Sequence, residues 1–595
     1  MKKGIGVIVM ANNREIDYER SQGGRVLKRL LAYAKPYWHW MAFAFLLVLG
    51  ITGLELLRPI LIGEAIDKYI GNGNFQGVQK IALIYLIVLV LSFVFNFLQT
   101  WILQNTGQTI IYNIRQEVFE HVHKLSLRFF DITPVGKIVT RITNDVEALN
   151  EMFANILVKL LKNIVKIIGI AVVMLSIDLR MSIYSFILLP FIIGLTVLFK
   201  SISRATYRVA RTKITAINTY LSEHITGMKL IQIFAREQEK YKEFEYKSKD
   251  LFRANYREMM VFAIFRPSIY MLSIISLVII IGVGGDSVLN GTISMGTLYI
   301  FIQYIGSFFE PIQDLAEQLG TMQSAMASAE KIFYILDEEP LITNPEKPVI
   351  LHEVKGRIEF EHVWFAYEGE NWILKDVSFV IEPGQKIAFV GATGAGKSSI
   401  LNLIGRYYDI QKGKITVDGV DIKEMDTDQL RGAIGQVQQD VFIFTGDIKS
   451  NIRLKEEGIT EEEIKAAAVY VNASRFIDNL EHTYDEPVTE RGATLSAGER
   501  QLISFARTLA YNPSILVMDE ATANIDTETE QLIQEALNKL MEGRTTIMVA
   551  HRLSTIQHAD KIIVLHKGRI RESGTHQQLL NQNGIYKKLY ELQLQ

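Results

Sequence analysis

Residues 81–99, IALIYLIVLVLSFVFNFLQ, form an apolar run without a single charged side chain. About 20 apolar residues in a helix cross about 30 Å of hydrocarbon, so this run constrains the chain more than any other feature. Five further runs, at residues 41–62, 152–177, 181–198, 261–283 and 298–315, approach the same length and apolarity. Lys159, Lys162 and Lys166 interrupt the third of the six, and Glu310 and Asp314 sit in the tail of the last, with Glu317 just beyond. At 595 residues the chain is too long for one hydrophobic core, and after about residue 340 short apolar strands alternate with charged, helix-like stretches.

Charge placement sets the expected topology. The connection at 102–151 carries Arg115, Lys124, Arg128, Lys137 and Arg141, and the one at 200–260 carries Lys200, Arg204, Arg208, Arg211 and Lys213. The alternate connections, SIDLR and GDSVLNGT, are short and poor in basic residues. This positive-inside pattern places both termini and the two long connections in the cytoplasm, which requires an even number of spans; six satisfies it. The expected location is the cell inner (cytoplasmic) membrane, multi-pass. The long connections read as helices that continue past the lipid, with one turn at Phe129–Phe130–Asp131 and Pro134–Val135–Gly136. Residues 1–25 show little periodicity, and no small-residue cleavage pattern follows the first run, so that run is expected to stay in the membrane. A formal charge of -2 offers no field for nucleic acid, and the absence of cysteine excludes disulfides and thiolate chemistry.

Ionisable groups at membrane depth are costly and therefore informative. Glu55 and Arg58, three apart on the first span beside Pro59, are placed to pair, either as a structural element or along a translocation path. Lys159, Lys162 and Lys166 share one approximate face, while Asn96, Gln99, Gln303 and Gln313 line a cavity or join helices.

The second half carries explicit chemistry. Three prolines and several charges in 338–348 mark a boundary. The expected division is a leader at 1–35, a six-helix membrane domain at 36–335, a linker at 336–350 and an α/β domain at 351–595. The strand KIAFV runs directly into Gly391, Ala392, Thr393, Gly394, Ala395, Gly396, Lys397, Ser398 and Ser399, followed by a helical pattern. That is a complete phosphate-binding loop in its strand–loop–helix setting. Its glycines let successive N–H groups converge on phosphate at a helix N-terminus, Lys397 meets the β- and γ-phosphates, and the Ser398 hydroxyl suits Mg²⁺. A second strand, SILVM, ends at Asp519 and Glu520. Asp519 suits the metal, and Glu520, one residue further, suits the attacking water. A third strand, TTIMVA, leads to His551, whose neutral ring can donate and accept at once and so hold water, Glu520 and phosphate in register.

With these motifs in place, the chain over roughly residues 25–590 resembles an exporter-type ABC transporter half-subunit, a membrane domain fused before a nucleotide-binding domain with its helical subdomain. The resemblance implies ATP and Mg²⁺ as cofactors. It implies that Tyr367 stacks on adenine and that Gln439 senses Mg²⁺ and attacking water while facing the membrane domain. TLSAGERQ corresponds to the signature region, whose Ser496 and Gly498 would meet the ATP bound to the opposite subunit. Residues 523–526 correspond to the loop that crosses the dimer interface, and Glu490–Arg491–Gly492 to a segment touching the partner's cytoplasmic loops. The regions 131–142 and 213–222 resemble those carrying the short coupling helices. The family's signature reads Leu-Ser-Gly-Gly-Gln, whereas Ala497 and Glu499 stand here in the sequence Leu495-Ser496-Ala497-Gly498-Glu499. The added methyl and carboxylate fall on the face offered to the partner's nucleotide, while Lys397, Gln439, Asp519, Glu520 and His551 are intact. That split resembles the catalytically complete member of heterodimeric multidrug exporters. Its expected partner is a different half-transporter with a degenerate site, and its expected cargo amphipathic or hydrophobic small molecules exported across the lipid bilayer by alternating access. The alternative is an exporter or flippase for a specific lipid, peptide or metabolite, acting as a homodimer.

Overall fold

The protein is described from a computed structural model covering residues 23–454, 458–519, 527–549 and 556–594. Glu520, His551, residues 523–526 and the leader therefore lie outside the described residues, as do the side chains of Gln313 and Glu317. The chain divides into two compact units, one comprising 1–123 and 132–338, the other 124–131 and 339–595.

The first unit is helical. Its long elements are α1 (Arg25–Ile70), α2 (Phe75–Lys124), α4 (Val135–Ile177), α5 (Leu179–Thr226), α7 (Glu237–Leu289) and α8 (Met295–Leu336), with the short helix α6 (Met228–Ile233) between α5 and α7; the short helix α3 (Leu127–Ile132), between α2 and α4 in sequence, falls almost wholly in the second unit. Among the described residues, five of these, α1, α2, α4, α5 and α7, are long and apolar enough to cross a membrane, against the six expected. The sixth run, on α8, falls short because Tyr299, Gln303, Tyr304 and Glu310 dilute it. What α8 presents instead is a packing surface. Phe301, Tyr304, Ile305, Phe308 and Phe309 are buried in a core of the unit, and the Tyr304 hydroxyl donates to the Leu56 carbonyl at 2.5 Å. By contrast, Leu83, Leu86, Ile87, Val90, Phe93 and Phe97 stand exposed along α2. A continuous apolar stripe of that kind is stable only where hydrocarbon replaces water.

Several local expectations change. Glu55 does not pair with Arg58. It reaches across to α4, where Lys162 Nζ lies at 3.1 Å and Lys166 Nζ at 3.9 Å, and Lys166 also meets Glu310 of α8 at 3.4 Å. Neighbouring helices offer better geometry than the i, i+3 position on α1 itself. The first cytoplasmic turn is helical at Leu127–Ile132, and Pro134 then caps the next helix. The second turn comes later than residues 213–222, which lie within continuous α5. The break is at Gly227, after which α6 and Arg236 lead into α7. Deeper in the cytoplasmic helices, Arg141 and Asp145 form a buried pair at 2.6 Å, and Ser328 of α8 donates to the same carboxylate at 2.7 Å.

The second unit holds two main sheets. The antiparallel one contains β1 (Ile358–Phe365), β2 (Leu374–Ile381), β4 (Lys412–Val417) and β5 (Val420–Asp421) in the order β2-β1-β4-β5. The other has the order β12-β11-β3-β10-β9-β6. Its members are β3 (Lys386–Val390), β6 (Ile434–Val437), β9 (Ile515–Asp519), β10 (Thr545–Val549), β11 (Lys561–His566) and β12 (Arg569–Gly574). All pairs are parallel except β11 with β12. Strands buried on both faces explain the uninterrupted apolar sequences ILVM and IIVL, which alternation alone would not have produced. A helical part, including α10 (Glu461–Tyr470) and α11 (Ala497–Ala510), shares its core with one face of this sheet through Leu502, Phe505 and Ala506.

Candidate nucleotide site

The parallel strands fix where the chemistry gathers. In a sheet of this kind, ligands bind beyond the carboxyl ends of the strands. The phosphate-loop residues follow β3 and lead into α9 (Lys397–Ile404), a buried helix whose Ile400, Leu401 and Leu403 anchor it on the sheet. Two glycines are required by space. A Cβ on Gly391 would stand 2.3 Å from the Leu565 carbonyl oxygen, and one on Gly396 would stand 2.7 Å from Leu374 Cδ2. Gly396, with φ of +106°, also turns the backbone into α9.

Lys397 is 6% exposed, and its ammonium donates to the Gly391 carbonyl at 2.7 Å, folding the side chain back across its own loop. Ser398 is exposed at the loop's mouth, as are Thr393 and Gly394, while Ala395 and Ser399 are buried beneath it. The Tyr367 hydroxyl lies 3.1 Å from Ser399 Oγ, and its ring packs edge-on to Tyr408 at 5.0 Å. The Tyr367 side chain is partly buried against the core, so the aromatic is held at the loop. Tyr408 in turn donates to Asp131. Burial and that neighbouring carboxylate hold its hydroxyl well above the usual phenol range.

Asp519 is the last residue of β9 and is half-buried. Its strand is not the immediate neighbour of β3. β10 lies between them, with Val549 opposite Asp519. The His551 position, two residues past the end of β10, and the Glu520 position, one past β9, are themselves outside the described residues. Gln439 is exposed in the bend after β6, at the far edge of the same sheet. Phosphate loop, Asp519 and Gln439 thus all emerge from one edge of one sheet.

Mg²⁺ favours hard oxygen donors and keeps positions for water and substrate phosphate. Ser398 and Asp519 are donors of that type, and among the described residues no group of three His, Asp or Glu stands close enough to hold a metal alone. The donor set fits an ion that needs the nucleotide's own oxygens to complete its shell.

The signature region opens α11. Ser496 is its N-cap, with Oγ accepting from the Glu499 N–H at 3.2 Å, while the Glu499 carboxylate accepts from the Ser496 N–H at 2.7 Å. This closed capping box satisfies two of the helix's otherwise unpaired donors. Ser496 Oγ is used here as an acceptor, so its hydrogen stays available for an anion. Arg500 fastens the turn by donating to the Leu495 carbonyl at 2.6 Å. Because glutamine can make the same return bond, Glu499→Gln should leave thermal stability nearly unchanged. Glu499→Ala opens the box and should cost about 0.5–2 kcal/mol, read as a lower melting temperature.

The comparisons with known proteins follow this geometry. Residues 41–312 match the ABC transporter transmembrane region, and residues 374–523 match the ABC transporter family model. The chain is 40% identical over 573 residues to the putative ABC transporter ATP-binding protein exp8 of Streptococcus pneumoniae, covering 96% of this chain and 97% of that one. It is 39% identical to the probable multidrug resistance ABC transporter ATP-binding/permease protein YheH of Bacillus subtilis, over 87% of this chain and 77% of YheH. Among solved structures it matches a bacterial Atm1-family ABC exporter with ATP bound, at 26% identity and a TM-score of 0.79, covering 93% of this chain and 99% of that one.

One expectation is overturned. A match to an Atm1-family exporter along nearly its whole length argues against an obligate, different partner with a degenerate site. The physical ground for that partner is also missing. Ala497 sits in the first turn of α11 with right-handed backbone, so its methyl forces no strain, and the Glu499 carboxylate is turned back onto the helix cap. On its motifs, its two-unit architecture and these similarities, the chain belongs to the ABC transporter family, as a half-transporter that is a multi-pass membrane protein with a cytoplasmic-facing ATPase domain, coupling ATP hydrolysis to membrane transport of small molecules.

Proposed function

We infer that two copies of this chain form an exporter or flippase for a specific lipid, peptide or metabolite. The observation that carries this reading is the presence, in one polypeptide, of a sterically complete phosphate loop and a signature helix whose cap is fully closed. The Atm1-family exporter and the relatives whose names carry multidrug resistance support the direction of transport.

In this account ATP is held head to tail between two copies. Tyr367 receives the adenine, and the N–H groups from Gly391 to Ser399 together with Lys397 receive the phosphates. The partner's Ser496 and Gly498 close the γ-phosphate from the other side. Mg²⁺, held by Ser398, Asp519 and Gln439 with the phosphates, supplies neutralisation of charge on the γ-phosphate oxygens. Glu520 takes the proton from the attacking water, and His551 orients that water against the phosphate. ATP binding closes the pair because the nucleotide contacts both copies only when they meet. Loss of the bridging phosphate then permits reopening.

Purified alone in lipid nanodiscs, the chain should run as a dimer by mass photometry and hydrolyse ATP with saturable kinetics. Hydrolysis that appears only after a different half-transporter is added contradicts this reading.

A further inference from the structure

Lys200, Arg204 and Arg208 follow one another at i, i+4 and i+8 along α5, which sets three cations on one helix face. In the first unit they line a cavity of about 770 Å³, shared with α7 and α8, in which Glu258 is the one acidic lining residue among the described residues. Among the described residues the lining therefore carries three cations against one carboxylate, an excess of two positive charges. Arg204 is held by Gln323 of α8 at 3.0 Å, which fixes its guanidinium at the wall. Phe199, Tyr207 and Phe262 supply the apolar part of the same wall, with Phe199 and Phe262 edge-on at 5.1 Å. A volume of this size suits a small amphiphile, and the mixture of aromatic surface and surplus cation suits one with an anionic end.

A second cluster of ionisable groups lies further along α8. Glu55 and Glu310 face Lys162 and Lys166, and Arg58 stands beside Glu55 with its Nε buried and no hydrogen-bond partner. Asp314, one turn beyond Glu310 on α8, is a further carboxylate and is exposed, while the Arg58 Nε is a buried donor left unsatisfied at membrane depth, where that is costly. From Glu310 to Gly320, which lines the cavity, α8 advances ten residues, or about 15 Å at the helical rise. The surplus cations of the cavity and the unsatisfied Arg58 donor are both groups that an anion satisfies.

We propose that the transported molecule is an anionic amphiphile, bearing a carboxylate or phosphate on an apolar body, whose head is received by Lys200, Arg204 and Arg208 and whose body lies on Phe199, Tyr207 and Phe262. This rests on the exporter reading and narrows it to a substrate class. The same head group can belong to a soluble metabolite or to a membrane lipid.

The test uses the full chain in phosphatidylcholine nanodiscs with three fluorescent probes of common body: pyrenebutyrate, its methyl ester and pyrenebutyltrimethylammonium. Pyrenebutyrate should bind at least about tenfold more tightly than either, as expected when one charge-assisted hydrogen bond distinguishes them. Arg208→Gln should lower its affinity about tenfold at unchanged melting temperature, and Arg208→Lys should restore most of it. Equal binding of the three probes, or no effect of Arg208→Gln, overturns the proposal. Replacing phosphatidylcholine by phosphatidylglycerol separates the sources. Competition by the anionic lipid identifies a lipid head as occupant, and undiminished probe binding identifies a soluble anion. In inside-out proteoliposomes, ATP-driven uptake of the methyl ester without pyrenebutyrate leaves the exporter reading standing and removes this inference. No ATP-driven uptake of any probe removes both.

Discussion

Glu520→Gln should lower ATP turnover about 10²–10⁴-fold while leaving ATP affinity nearly unchanged, the signature of removing a general base and retaining its shape. The expectation follows from β9. Its parallel pairing with β10 brings Asp519, which precedes Glu520 in sequence, to the carboxyl edge of the sheet. Asparagine or glutamine there keeps the hydrogen-bonding outline and loses the proton acceptor. Single-turnover hydrolysis measured beside equilibrium binding of a fluorescent ATP analogue separates the two quantities. A Glu520→Gln protein that turns over near the normal rate contradicts the assignment.

Lys397→Ala should act on the other quantity. The Lys397 ammonium is buried at the loop, where it donates to the Gly391 carbonyl at 2.7 Å. On nucleotide binding the ammonium is expected to turn to phosphate oxygens, and each charge-assisted bond of that kind contributes about 1.5–3 kcal/mol. Removing the side chain should therefore weaken ATP binding at least about tenfold, with turnover falling as a consequence. Isothermal titration of ATP against wild type and Lys397→Ala reads this directly. Unchanged affinity would place the lysine outside the phosphate contacts. The pair of substitutions thus predicts opposite patterns, rate lost with binding kept and binding lost first.

The ATP-binding motifs were legible because their chemistry is local. A loop that must bring consecutive N–H groups to one anion needs glycine at fixed positions, and Gly391 and Gly396 are held to glycine by the Leu565 carbonyl and the Leu374 side chain. Strand order was less legible. β10 falls between β3 and β9 although it follows both in sequence, since crossovers in parallel sheets leave no local trace. The signature departures misled for a related reason. Glu499 read as a displaced charge, yet Ser496 three residues before it already formed the sequence of a capping box. Glu55 read as the partner of Arg58 because only same-helix spacing is visible in one dimension, whereas Lys162 lies on another helix. Lys200, Arg204 and Arg208 were taken only as markers of the cytoplasmic side. Their four-residue spacing was the available sign that they share a face.

The central claim is that nucleotide consumed by the second unit moves a molecule through the first. Proteoliposomes with outward-facing ATPase units, loaded with Mg²⁺ and ATP outside, provide the direct measurement: accumulated probe and released phosphate are followed in the same sample for wild type and Glu520→Gln. The account predicts accumulation that rises in proportion to phosphate released and is lost in Glu520→Gln. Steady phosphate release with no accumulation of any probe would contradict it.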